Sequence, residues 1–212
     1  YLRLYITFEQ KISGYFPEAL IRGGLGHTLK TLICINKKED NCNLCFIGNN
    51  CLFKIMFSKD PIKTAGKIKN INNPPPPFII SVYRKNISDN FFMDLILLKD
   101  LFNFVPNLIW TLIKTGENGL GKEKIKFKIN YIVDITSNKK IFNSEDNGLE
   151  ECNINYFDIN NINKKLNEKI EIEFYSPVRL RSNNRLIENI TFYDIIKFAL
   201  IRFSLLNEIY GE

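Results

Sequence analysis

The single histidine of the chain, His27, is the residue best suited to acid-base chemistry. It lies in a helical pattern, and a neutral imidazole accepts protons near neutral pH. Lys30 follows one turn later, where an ammonium group can stabilise charge on a phosphate. The apolar residues of the pattern are expected on the opposite side of the helix: Leu25, Leu29 and Leu32. His27 should therefore face solvent or a ligand, and the plainer interpretation is a solvated helix residue.

Three glycines interrupt the same helical pattern: Gly23, Gly24 and Gly26. Each costs roughly 1 kcal/mol relative to alanine inside a helix, so another interaction should offset that cost. One interpretation is that phosphate groups or another backbone approach a surface without side chains. The other is that the helix packs tightly on a sheet. Both interpretations are open at this point.

Four of the five cysteines fall within one short segment: Cys34, Cys42, Cys45 and Cys51. Four thiolates satisfy tetrahedral zinc, so the sequence predicts a structural zinc ion that holds residues 34–51 together. The spacing differs from that of a standard zinc ribbon, and an iron–sulfur cluster or four independent thiols are the alternatives. Cys152 lies in a polar segment and is predicted to be a bystander.

Residues 116–122 read GENGLGK and nearly spell a Walker A loop. Glu123 stands where that motif needs Ser or Thr, and the alternating residues that follow predict a strand instead of a helix. Nucleotide hydrolysis is therefore disfavoured. The loop offers four residues that can instead hold phosphates: Gly119, Gly121, Lys122 and Lys124. A plain flexible turn is the alternative.

Charge and composition favour a polyanionic partner and a folded chain. The net charge is +6, and Arg179, Arg181 and Arg185 form the densest arginine group, suited to phosphate and base-edge contacts. With 212 residues, 45% of them hydrophobic, the chain can bury one large core or two small ones. It has no run of eighteen apolar residues and no secretory signal pattern, so we expect a cytosolic (cytoplasmic) protein without a membrane partner.

The order of the secondary-structure patterns is β-α-β-β-α-β. Alternation predicts strands at the start of the chain and before residue 135, and β-rich residues predict two more after the proline run at 74–77. Pro106 marks either the first turn of the second helix or a kink in it. The predicted segments are 1–9, 16–33, 78–83, 91–98, 101–114 and 124–135. This order is that of a ferredoxin-like split βαβ unit, with two helices on one face of an antiparallel sheet.

A second unit is predicted to follow. The expected domains are a ferredoxin-like domain over 1–136 with a Cys-rich insertion at 34–51, a polar connection over 137–168 with a weak hairpin near 140–142, and the start of a second ferredoxin-like domain over 169–212. That second part should contain a short strand at 171–175 and a helix at 191–209 capped by Thr191 and Asp194. Its predicted buried stripe is Phe192, Ile195, Ala199, Phe203 and Leu206. We expect the chain to be truncated, because so short a second unit could hardly cover its apolar face.

Several of these segments occur in one order along the chain: residues 20–30 (LIRGGLGHTLK), the cysteines, residues 76–78 (PPF), 119–121 (GLG) and 176–181 (SPVRLR). Together they resemble the CRISPR endoribonucleases of the RAMP superfamily that process precursor crRNA. The likeness extends over about residues 1–209. The closing glycine-rich loop and strand of the family's second domain have no counterpart here.

The resemblance implies tandem ferredoxin-like domains that bind CRISPR repeat RNA and cut it without a catalytic metal, by attack of the 2′-hydroxyl on the scissile phosphate. His27 matches the catalytic histidine of the first helix. Lys30 would stabilise phosphate charge, and Tyr15 would orient the nucleophile. The residues expected to bind RNA are Arg22, Gly23, Gly24, Gly119, Gly121, Lys122, Lys124, Arg179, Arg181 and Arg185.

Two other functions are consistent with the sequence. The first is a non-catalytic RAMP scaffold subunit that binds guide RNA in a CRISPR effector complex. The second is a small zinc protein that recruits another CRISPR effector subunit. For the scaffold subunit, replacing His27 should leave RNA processing unchanged. For the zinc protein, the affinity for repeat RNA should be negligible.

Overall fold

The chain has an α+β fold, seen in a computed structural model. The structure describes residues 1–10, 17–36, 41–64, 70–84, 90–146, 148–149, 169–174, 178–182 and 185–211. Its helices are α1 (Pro17–Ile33), α2 (Leu52–Phe57), α3 (Val105–Asn118) and α4 (Phe192–Tyr210). Its strands are β1 (Leu2–Phe8), β2 (Ile62–Lys63), β3 (Asn70–Ile71), β4 (Phe78–Arg84), β5 (Asn90–Leu97), β6 (Phe127–Asp134), β7 (Lys139–Asn143), β8 (Gly148–Leu149), β9 (Arg181–Ser182) and β10 (Arg185–Leu186).

The main sheet of the described residues has six strands in the order β4-β5-β1-β6-β7-β8, and every neighbouring pair is antiparallel. Strand β1 lies between β5 and β6, and its alternating sequence buries one face. The residues of that buried face are Leu2, Leu4, Ile6 and Phe8. This confirms the predicted half-buried strand at the start of the chain.

Helices α1 and α3 pack on the buried face of this sheet, and their apolar sides complete one core. Ile21, Leu25 and Leu29 of α1 are fully buried, whereas Leu32 is 45% exposed, so its predicted place in the buried stripe is wrong. Pro106 lies in the first turn of α3, where it needs no hydrogen-bond donor, and does not kink the helix.

The polar connection predicted after residue 136 begins with ordered structure. Strand β7 pairs with β6 and then with β8, which confirms a hairpin around residues 140–142. Ile141 and Phe142 are buried because β7 extends the main sheet and contributes to its core. Residues 150–168, including Cys152, lie outside the described part of the chain.

The chain divides into two compact units, residues 1–58 with 76–157 and residues 59–75 with 158–212. The domain boundaries inferred from the sequence stay a prediction. The described part of the second unit contains the β2-β3 ribbon, the β9-β10 ribbon and α4. None of the described helices is both long and apolar enough to span a membrane.

Two predictions for the second unit need correction. Residues 171–174 form no strand, and Tyr175 lies outside the described residues. Helix α4 begins with the predicted capping box, in which Thr191 and Asp194 bond each other's backbone amides. Its apolar stripe is nevertheless not buried: Phe192 is 57% and Phe203 51% exposed. An amphipathic stripe is buried only where a second surface packs on it, and no described helix or strand packs extensively on α4.

Candidate nucleic-acid interface

His27 lies in an open surface groove between α1 and α2, of about 480 Å³. This volume is comparable to that of small-molecule pockets. Its lining includes Arg22, Gly23, Gly26, His27 and Lys30 from α1, and Phe53 and Phe57 from α2. We call this surface the His27 groove. It brings together four of the predicted site residues, namely Arg22, Gly23, His27 and Lys30.

The His27 side chain is exposed, as the helical pattern predicted, because Leu25 and Leu29 occupy the buried side of α1. The hydroxyl of Thr31 donates to the His27 carbonyl at 2.9 Å, an interaction within the helix. The exposed imidazole ring faces the groove. A phosphodiester lying along the groove can therefore come within reach of the ring.

Two cations flank His27 along the helix. The Arg22 guanidinium lies 5.7 Å from the centre of the Phe78 ring, and the Lys30 ammonium lies 5.9 Å from that of Phe53. Such cation–π contacts hold long side chains in place without neutralising their charge. Among the described residues that line the His27 groove, none is acidic. The groove therefore has a net positive charge and favours a polyanion.

The three glycines of α1 have different surroundings. A side chain at Gly23 would meet nothing within 4 Å, so this position is an open part of the groove. A Cβ atom at Gly24 would lie 2.8 Å from Leu120 and 2.9 Å from Thr115. At Gly26 it would lie 3.1 Å from the Phe57 ring. Tight packing therefore explains Gly24 and Gly26, and Gly23 alone can admit a close phosphate.

The 116–122 segment contains the end of α3 and the packed turn that follows it. An antiparallel bridge closes it, with Leu120 and Ile125 bonding each other's backbone at 2.8 and 3.0 Å. Leu120 is buried beside α1, whereas Lys122 and Lys124 are exposed. The predicted Gly119 and Gly121 have positive φ values of 76° and 65°, which glycine adopts without strain. The loop therefore presents two lysines on a rigid turn, and no helix follows it as a Walker A motif would require.

The remaining predicted RNA contacts lie in the second unit. Arg181 and Arg185 lie on the β9-β10 ribbon, and Arg179 precedes it; all three are exposed. Tyr15, the predicted orienting residue, lies outside the described residues. The first unit thus supplies a groove and a lysine loop, and the second unit supplies an arginine group.

The four clustered cysteines line one small cavity of about 20 Å³ at the end of α1. Partial burial, then the neighbouring Cys51 and Cys34 thiols, raise the pKa of Cys42 above its ordinary value. Within the described residues, no three or more His, Cys, Asp or Glu side chains are arranged so that they could hold a metal ion. The composition of the cavity, with four thiols, is that of a tetrahedral zinc site.

Sequence reasoning missed Phe53 and Phe57 as part of the interface. Their rings stack with centroids 5.6 Å apart at 24° and form an apolar side of the His27 groove. They belong to a six-residue helix, too short for a periodic pattern to reveal. The available signal was the pair of aromatic residues directly after Cys51, at a spacing of four.

Comparison with known proteins gives one match. The family model of the AF_1859 N-terminal domain matches residues 1–154, which is more than half of the chain. No curated protein and no solved structure matches.

Proposed function

We propose that this chain, which belongs to the AF_1859 N-terminal domain family, binds CRISPR repeat RNA and cleaves it without a catalytic metal. One observation carries the proposal: the single imidazole of the chain is exposed in a groove whose only charged lining groups, within the described residues, are Arg22 and Lys30. A base beside two cations is the set of groups that cleavage at a ribose phosphate requires.

In the proposed reaction, a neutral His27 removes the proton from a 2′-hydroxyl. The 2′-oxygen attacks the adjacent phosphorus, and the bond from phosphorus to the 5′-oxygen breaks. The products are a 2′,3′-cyclic phosphate and a 5′-hydroxyl, whose proton comes from Lys30 or from water. Arg22 and Lys30 stabilise the charge that accumulates on the phosphate oxygens. Gly23 leaves room for the RNA backbone to approach α1.

We also propose that the first unit is a ferredoxin-like RAMP domain. The pairing of β1 with both β5 and β6, and the position of β4 at the sheet edge, support this arrangement. When only β1, β4, β5 and β6 are considered and are numbered 1 to 4 in chain order, their order across the sheet is 4-1-3-2. Residues between α1 and β4, including α2, are then an insertion into the split βαβ unit.

The cleavage proposal is tested with the full chain and its own repeat RNA in EDTA. We expect a product that ends in a cyclic phosphate, and no cleavage of the same RNA carrying a single 2′-deoxy nucleotide at the cut site. Cleavage of the deoxy substrate would contradict the proposed nucleophile. Absence of cleavage with retained binding would favour the scaffold.

The scaffold subunit is the second candidate function. One observation favours it. The described lining of the His27 groove contains one imidazole and no carboxylate, so Lys30 is the only other group there that could act as an acid or base. A scaffold would bind guide RNA through the same positive surface. Its RNA would emerge intact, and its partners would be other CRISPR effector subunits.

We further propose a structural zinc ion bound by Cys34, Cys42, Cys45 and Cys51. The cavity that these residues share supports the proposal, and four thiolates would leave no ligand position open for catalysis. The ion would hold the segment that leads from α1 into α2, and with it Phe53 of the His27 groove. An iron–sulfur cluster is the alternative ligand for the same cysteines.

Purified protein is expected to contain about one zinc per chain by elemental analysis. The double variant Cys42→Ser/Cys45→Ser should lose the metal, because two of four ligands are removed, whereas Cys152→Ser should keep it. Visible absorbance near 400 nm with bound iron would show a cluster in place of zinc. Metal-free wild-type protein, or a double variant with full zinc content, would refute the site.

A further inference from the structure

The face of the main sheet that α1 and α3 leave uncovered carries a row of four aromatic rings. Tyr83, Phe92, Tyr5 and Tyr131 lie directly opposite one another on β4, β5, β1 and β6. Because side chains on a strand alternate between faces, these four point away from the buried Leu4 and Met93. All four are partly exposed. We call them the aromatic row.

The rings of the aromatic row contact each other in sequence. Tyr5 and Tyr131 stack with centroids 4.1 Å apart at 19°, and Tyr83 and Phe92 stack at 5.1 Å and 28°. Tyr5 and Phe92 are 6.3 Å apart and tilted, which joins the two pairs. Four strands at about 4.8 Å spacing give the row a length of roughly 14 Å, enough for two or three stacked bases.

Cations lie over the row. The Arg3 guanidinium is 4.7 Å from the centre of the Phe92 ring, and the Lys140 ammonium is 5.0 Å from that of Tyr131. Lys128, which pairs with Thr7 two residues after Tyr5 on β1, is exposed on the same face. Lys128 and Lys140 therefore place positive charge beside the β6 end of the aromatic row.

The Arg3 charge is balanced by Asp94 on the same face, so this pair contributes little net charge for a ligand. Asp94 is buried, and Arg3 donates two hydrogen bonds to it, at 2.7 and 2.9 Å. The Tyr1 hydroxyl donates a third. Partial burial, together with Tyr5, raises the pKa of Tyr131. Its phenol therefore carries no negative charge near pH 7 that would repel a phosphate.

We propose that the aromatic row is a stacking surface for the bases of single-stranded RNA, separate from the His27 groove. Cross-strand aromatic pairs also stabilise sheets, but that role needs neither cations over the rings nor partial exposure of all four. Flat rings bind any base through its π-face, and Lys128 and Lys140 can follow the phosphates. The inference rests on the proposed function in one respect, the choice of RNA as ligand. Nucleotides flanking the cut site are the expected occupants.

The test measures binding of a fluorescein-labelled eight-nucleotide single-stranded RNA, made with 2′-deoxy sugars at every position that would otherwise be cut. Tyr5→Leu and Tyr131→Leu keep the apolar bulk of the sheet but remove the stacking ring. We expect each to weaken binding roughly tenfold, and Tyr131→Phe to bind about as the wild type does. A duplex of the same sequence should bind more weakly than the single strand, because its bases are already stacked.

Cleavage is measured separately, so the two proposals can fail independently. His27→Ala should bind the oligonucleotide as the wild type does if the row is a separate site. Equal affinity of the Leu variants and the wild type would overturn the stacking surface, even if the RNA is cleaved. Equal affinity for duplex and single strand would overturn it too, and no binding by the wild type would indicate a protein partner instead. Circular dichroism of each Leu variant verifies that it is folded.

Discussion

Replacing His27 with alanine is expected to lower the rate of metal-free cleavage by about 10²–10⁴-fold, the range for losing a general base. The described lining of the His27 groove offers no second imidazole or carboxylate to take over. Binding of repeat RNA should change less than threefold or so, because Arg22 and Lys30 remain and carry the phosphate contacts. The measurement is a single-turnover cleavage rate in EDTA at saturating protein, alongside anisotropy with the uncleavable RNA.

Thr31→Ala is the matched control for this variant. Thr31 is exposed on the same helix, and its hydroxyl donates to the His27 carbonyl within that helix, so its loss should leave the rate nearly unchanged. Lys30→Ala should slow cleavage and also weaken binding, since the ammonium group contacts phosphate in both states. A His27→Ala protein that cleaves at the wild-type rate would remove the imidazole from the mechanism. The scaffold function would then hold only if processing by the wild type is also absent.

Local patterns predicted the elements of the first unit well, because each of them packs on one core. Strict alternation in β1 and in the stretch before residue 135 reports burial on one face, and the structure has that burial. The exposed position of His27 followed from the same logic. The stripe of α4 failed because periodicity shows which side of a helix is apolar and not whether anything covers it.

Contacts between residues that are distant in the chain could not be predicted from the sequence. The aromatic row depends on strand register: Tyr5 lies opposite Phe92 and Tyr131 only because β1 pairs with both β5 and β6. Each of these residues alone reads as an ordinary strand aromatic. The contribution of Phe57 to the His27 groove likewise depends on how the cysteine segment folds back on α1. Partners separated by about thirty or more residues in sequence leave no local signal.

The function of the glycines could not be predicted from the sequence either, because a glycine motif alone does not distinguish phosphate binding from tight packing. Gly116 opens the segment that nearly spells a Walker A loop, yet it lies buried in α3. A Cβ atom there would lie 2.2 Å from the backbone oxygen of Phe127 on β6. Gly119 would meet the backbone oxygen of Lys124 at 2.3 Å. Gly116 is glycine because the backbones of α3 and β6 approach each other there, and Gly119 because the turn closes on the Lys124 backbone. The spacing that suggested a nucleotide site is therefore explained by packing.

Gly116→Ala is therefore expected to destabilise the protein by about 3 kcal/mol, a typical cost of overpacking, even though alanine favours a helix. No rotamer change can relieve an overlap with a backbone atom, so α3 and β6 must separate. Gly23→Ala is the matched control: it lies in α1 with nothing within 4 Å, and should stabilise by about 1 kcal/mol. Urea unfolding of both variants measures the difference, which corresponds to a midpoint about 10 °C or more lower for Gly116→Ala than for Gly23→Ala on heating. Equal stability of the two would mean that α3 and β6 are not in close contact at Gly116, and the phosphate-binding interpretation of the segment would return.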